Sequence, residues 1–180
     1  LLDDTTDFMD LSILATIGSA IAIIFQPLGF GNWQASVATF LGLVAKEEVV
    51  GCFGTLFGVA GDALELVDAG EFEALTPIAA AFGGSSLAAY SFLVFNLLCA
   101  PCFAAIGAIK REMNNAGWTL FAIAYQCVFA YACSLMVFQF GSLFLGGGFT
   151  VGTVAAIIVL VAMLYLLFRK GYQGEGSKLR

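Results

Sequence analysis

The sequence predicts an all-α protein, a polytopic transmembrane helical bundle with about five membrane segments, some of them short or broken. Three observations lead there. Hydrophobic residues make up 61% of the 180 positions and charged residues 11%, with a mean hydropathy of +0.96, which lies outside the range of a soluble globular domain. Uncharged runs cover residues 11–45, 49–61, 78–109 and 113–168, and a spanning helix needs roughly 20 apolar residues. Lys46, Glu47 and Glu48 stand together between the first two of these runs. An ionisable side chain at membrane depth costs roughly 2.5 to 3.5 kcal/mol, so such groups face a protein interior or a watery cavity and mark an ion or substrate path. The remainder of this single domain reads as shelter for them.

Residues 1–10 form a polar flank carrying Asp3, Asp4, Asp7 and Asp10, and Asp10 or Ser12 suits the cap of the first helix. That helix, residues 11–26, reaches only about 24 Å at 1.5 Å per residue and is a short span or a re-entrant half-helix. Pro27 ends it, and the run Pro27-Leu28-Gly29-Phe30-Gly31-Asn32 makes a corner before Trp33, an interfacial anchor. A second helix over residues 33–58 holds the charged centre. Gly54 and Gly58 have small-xxx-small spacing for helix contact. Gly42 and Gly51 bracket the charges, where an unwound turn would expose carbonyls to a cation.

Residues 59–75 carry Asp62, Glu65, Asp68, Glu71 and Glu73 with no basic residue, which predicts an acidic external loop. The basic pairs Lys110-Arg111 and Arg169-Lys170 belong on the cytoplasmic side by the positive-inside rule. The uncharged run 78–109 is too long for one straight span. Pro101 predicts a helix to about Cys99, a break, and a second piece to Ile109. This gate-like membrane region, residues 11–112, is followed by a C-terminal transmembrane pair within 113–170: helices at 118–140 and 149–168 joined by a turn at Gly146-Gly147-Gly148. Residues 171–180 form a cytoplasmic tail.

Composition also excludes chemistry. With no His, imidazole metal sites and Ser-His-Asp triads are ruled out, and no phosphate-loop lysine motif is present, so this chain is not expected to be an enzyme. A net charge of −6 argues against nucleic acid as a partner. The chain begins with Leu1 and has no signal-peptide pattern, and the expectation is a C-terminal part of something larger.

Metal ligation then falls to Cys, carboxylates, Met or backbone oxygens. Cys52 lies four residues after Glu48, so on a helix a thiol and a carboxylate share a face and pair for a divalent cation; packing is the alternative. Cys127 and Cys133 read as small mid-helix hydrophobes. Cys99 and Cys102 have C-x-x-C spacing, but in an uncharged membrane segment rather than on a βαβ scaffold. Cys102 beside the carbonyls freed by Pro101 reads as a thiolate ligand. Adjacent helical residues diverge by about 100°, so Lys46 is expected to pair with a carboxylate on another helix.

The run from Pro27 to Trp33, the Gly42-x-x-Ala45-Lys46-Glu47 centre followed by Val49-Val50-Gly51, and Pro101-Cys102 with Ile109-Lys110-Arg111-Glu112 resemble, in order, the ferrous iron transport protein B (FeoB) family, its second gate region and last helices. The resemblance implies Fe2+ uptake across the bacterial cytoplasmic (inner) membrane by a multi-pass protein, coupled to a GTP-binding domain upstream that would use GTP and Mg2+. It implies Lys46, Glu47 and Cys102 in the membrane path. Glu48 and Cys52 depart from the family pattern. The metal candidates are therefore Cys102, Glu47, Glu48 and Cys52, with Lys46, Gly42, Gly51 and Pro101 as gating or charge partners. No tightly bound cofactor is expected. The expected partners are the bilayer, Fe2+, the first gate half, the GTPase domain and a possible second copy. The rivals are a structural or oligomerising membrane module and a membrane thiol-disulfide oxidoreductase using Cys99 and Cys102.

Overall fold

The computed structural model describes residues 13–46, 48–56 and 76–169, with the backbone alone at 48, 50, 53, 54, 76 and 77. Every regular element among them is helical: α1 (Ile13–Phe25), a 3-10 turn (Gln26–Leu28), α2 (Trp33–Leu41), α3 (Glu48–Leu56), α4 (Thr76–Ala81), α5 (Ser86–Leu98), α6 (Phe103–Met113), α7 (Ala116–Phe144) and α8 (Val151–Phe168). The polar flank, the acidic loop and the tail lie outside the described residues. Among the described residues, three stretches are long and apolar enough to cross a membrane: Ser86–Met113, Ala116–Phe144 and Val151–Phe168. A fourth arises if the bent pair α1 and α2, which meet at 98°, counts as one broken span.

The corner between α1 and α2 is where the core sits. Pro27 occupies the start of the 3-10 turn, and Gly29 closes it at φ +90° with the Phe138 ring packed directly where a Cβ would project. Only glycine meets both conditions. Leu28 and Phe30, read from sequence as linker, are fully buried. Phe30 stacks on Phe25 at 5.2 Å between centroids and meets Phe92 of α5 edge-on at the same distance. Asn32 caps α2 by accepting from the Ala35 amide at 2.6 Å, and its amide nitrogen donates to Ala81 O at the end of α4.

Helix α7 runs through 29 residues, about 43 Å at 1.5 Å per residue, and packs against α5, α6, α8 and the 3-10 turn. It is longer than the 23 residues expected, because Asn115 caps it early and it continues beyond Phe140 to the glycine turn. Its polar residues join helices. Ser91 of α5 and Ser134 of α7 are wholly buried, with their hydroxyls 2.8 Å apart and each also donating to the other's carbonyl. Gln139 donates to Pro27 O at 2.8 Å and accepts from Thr150 Oγ1 at 3.1 Å and Thr153 Oγ1 at 3.4 Å, fastening α7 to the corner and to the start of α8.

The second helix expected over residues 33–58 is two helices. It ends at Leu41, passes through a turn over residues 42–46, and restarts at Glu48. Gly42 has ordinary right-handed dihedrals, and its role is close approach: a Cβ there would lie 2.6 Å from Val49 Cγ2. Gly51, expected at an unwound turn like Gly42, lies inside α3, where its carbonyl accepts from Thr55 Oγ1. The chain therefore turns before the charges, over residues 42–46, and is helical again from Glu48.

Candidate functional site

Two interrupted helices meet at their interruptions. The first break is the turn over residues 42–46 between α2 and α3. The second is Cys99-Ala100-Pro101-Cys102 between α5 and α6, where Ala100 is buried and the chain is extended on both sides of it. Each break leaves helix-end groups that require partners. The Phe103 amide at the start of α6 donates to Leu43 O in the first break at 3.0 Å. The Lys46 ammonium donates to Asn96 O at 2.8 Å and to Leu97 O and Cys99 O at 3.3 Å each, at the end of α5.

Proline explains the vacancy that the lysine fills. Leu97 O would accept from the amide four residues on, and that residue is Pro101, which has no N–H. A cation at a helix C-terminus also meets the negative end of the helix dipole. The expected carboxylate partner for Lys46 is thus replaced, among the described residues, by a carbonyl cluster. Glu47 and the side chain of Glu48 lie outside the described residues.

The cysteines are distributed differently from the C-x-x-C reading. Cys99 Sγ lies 3.8 Å from Cys127 Sγ on α7. Cys127, expected to pack as a small hydrophobe, has Cys99 as its sulfur neighbour across the α5–α7 contact. Cys102 is half-buried at the start of α6, its thiol makes no capping bond, and its carbonyl accepts from the Ile106 amide. Cys52 is half-buried against the hydrophobic core. Cys133 is also half-buried on α7. Among the described residues no three Cys, Asp or Glu side chains gather closely enough to hold a metal ion.

The structure thus brings Lys46, Gly42, Pro101 and Cys99 to one junction and adds Asn96, Leu97 and Cys127. Sequence signals for the last three were weak. Backbone carbonyls carry no residue-type signature, and a thiol in an apolar helix looks like packing. The Pro101 position was the usable clue, since it orphans the carbonyl of residue 97 whatever that residue is.

A family profile described as Gate, nucleoside recognition, matches residues 7–116. Curated relatives named Fe(2+) transporter FeoB include those of Staphylococcus aureus strain COL, 35% identical over 133 residues, and Methanocaldococcus jannaschii, 36% identical over 132. These alignments cover 74% and 73% of this chain and 18% of each relative. The relative from Salmonella paratyphi A is 31% identical over 206 aligned positions, covering 91% of this chain and 27% of the relative. The chain therefore spans between 18% and 27% of the length of these proteins. No solved structure matches.

Proposed function

The chain belongs to the Gate (nucleoside recognition) family, a domain of FeoB proteins, and we propose that it forms the membrane part of a ferrous iron transporter in which Fe2+ crosses at the junction of the two broken helices. The observation that carries this reading is the Lys46 ammonium seated on three carbonyl oxygens between those breaks. Backbone that is not helical is tolerated at membrane depth where it is buried in protein or lines a cavity, and interrupted helices supply cation ligands in transporters. Fe2+ ranks low in intrinsic affinity for mixed donor sets, so selectivity rests on geometry and softness of the ligands.

Glu47 and Cys102 are the proposed path ligands from the chain's own residues, with Glu48 and Cys52 secondary, Gly42 and Pro101 making the breaks and Gly51 adjoining the first of them within α3. No resident cofactor is proposed. GTP and Mg2+ would act in an upstream domain, and the first gate half and a second copy are the proposed protein partners. The membrane is the bacterial cytoplasmic membrane. Lys110 and Arg111 close α6, α7 and α8 run out and back, and Arg169 follows α8. This order supports both basic clusters and the C-terminus on the cytoplasmic side.

Glu47→Gln in the full-length transporter tests the reading, because it removes charge with little change of volume. Radiolabelled iron uptake is expected to fall to background at equal protein level. Unchanged uptake would remove the carboxylate from the path and favour the structural module. The orientation is tested by single cysteines placed at Asp68 and Lys178 in a Cys-free background. An impermeant thiol reagent is expected to label position 68 and spare 178 in intact cells, and the reverse pattern would invert every helix direction. The thiol oxidoreductase reading has little support, since the Cys99 sulfur faces Cys127 on another helix.

A further inference from the structure

Lys46 occupies the place of a coordinated cation. Its Nζ has three oxygen neighbours at 2.8 to 3.3 Å, all from the last turn of α5 and the residue after it. One of those residues, Cys99, also carries a thiol, and the Cys127 thiol lies 3.8 Å from it. A tetrahedral ion with two metal–sulfur bonds of about 2.3 Å separates its sulfurs by about 3.8 Å. The two thiols thus already stand at the spacing of a shared ion.

We propose that the end of α5 is a divalent-cation site whose resting occupant is the Lys46 ammonium, and that an incoming metal ion displaces the lysine to bind two of the Asn96, Leu97 and Cys99 carbonyls together with the Cys99 and Cys127 sulfurs. Taking Fe2+ as the natural ion rests on the transport reading above; the site itself rests on the geometry. The charges balance. Two thiols lose two protons to water as they ligate, so a divalent ion with two thiolates is neutral and can sit at membrane depth without the cost of a net charge. No electron is transferred. The ammonium released from the carbonyls has acidic neighbours in sequence, Glu47 and Glu48. A tethered cation of this kind keeps the oxygens satisfied when no ion is present and raises the threshold for occupancy, because apparent affinity falls with the fraction of time the site is open.

Co2+ added to the purified full chain in lipid nanodiscs under reductant is the probe. The wild-type protein is expected to show cobalt–thiolate charge-transfer absorption that disappears in Cys127→Ser and in Cys99→Ser and survives in Cys102→Ser. Lys46→Met is expected to tighten cobalt binding about tenfold by removing the competing occupant. Unchanged affinity in Lys46→Met, or a band lost only in Cys102→Ser, would overturn the proposal. Should Lys46→Met fail to fold, reductive methylation of wild-type Lys46 followed by mass spectrometry decides the matter. Cobalt is expected to speed methylation at least threefold by expelling the amine, and an unchanged rate would overturn displacement. Iron uptake is measured in parallel on the full-length transporter. A cobalt site without uptake would refute the transport reading and leave the site standing, and uptake without a Lys46 response would do the reverse.

Discussion

From Ile13 to Met113 no described helix exceeds 13 residues, whereas Ala116–Phe144 and Val151–Phe168 run uninterrupted for 29 and 18. The polar groups of the two regions are used in opposite ways. In the continuous pair, Ser134, Gln139, Thr150 and Thr153 close hydrogen bonds among side chains and neighbouring carbonyls. In the broken region, the polar groups at the junction are helix ends, and one of their donors is the Lys46 ammonium at the end of its four-carbon stem. Hydrogen bonds between neutral side chains fix a scaffold; helix ends satisfied by a lysine can be vacated and refilled. The Gate match, residues 7–116, contains the whole of the broken region and ends at the start of α7.

The largest expected effect comes from closing the first break sterically. Gly42→Val would drive its side chain into Val49, already 2.6 Å from the position of a Cβ. Overpacking of that kind costs about 1 to 3 kcal/mol, and the displaced α3 should abolish iron uptake. Normal uptake would show that the α2–α3 geometry is dispensable.

Next comes the soft ligand at the second break. Cys102→Ser keeps size and replaces sulfur by a hard neutral oxygen, and uptake at low external iron should fall several-fold, whereas Cys133→Ser should have little effect. Equal loss in both would break the division between the junction and the scaffold. The junction also predicts that Cys99→Ser and Cys127→Ser resemble each other, because their sulfurs adjoin.

Within the scaffold the effects should appear in stability rather than transport. Gln139→Leu removes bonds to Pro27, Thr150 and Thr153, and interhelical bonds of this type are worth about 0.6 to 1.7 kcal/mol each in membrane proteins. The unfolding midpoint should drop, with uptake per folded molecule unchanged. Abolished uptake at equal folded level would place Gln139 in the mechanism. Smallest of all, Ser134→Ala should cost about 0.6 kcal/mol, read from the same unfolding curves, since the Ser91 hydroxyl keeps the main-chain carbonyl of residue 134 as its acceptor. A loss several times larger would mean that the α5–α7 contact is more than packing.

What the sequence by itself determined was the class of the protein and the breaks at Pro27 and Pro101, while the break over residues 42–46 fell inside a helix expected to run from 33 to 58. Hydropathy required helices in lipid, Pro27 and Pro101 required breaks, and three charges in an apolar stretch required shelter; each follows from backbone chemistry or solvation local to the residue. Its expectation of helices at 118–140 and 149–168 falls within the described α7 and close to α8, the error at α7 lying in where capping and turns set the ends. Only the tertiary structure decided what met at the breaks. That Lys46 reaches carbonyls 50 to 53 residues away, that Cys99 faces Cys127 instead of Cys102, and that Leu28 and Phe30 of a turn are the centre of the core all depend on which helices cross and at what height. A main-chain oxygen has no residue identity to read, and a thiol or phenylalanine suits lipid, core and site equally, so partner choice is a property of packing and not of pattern.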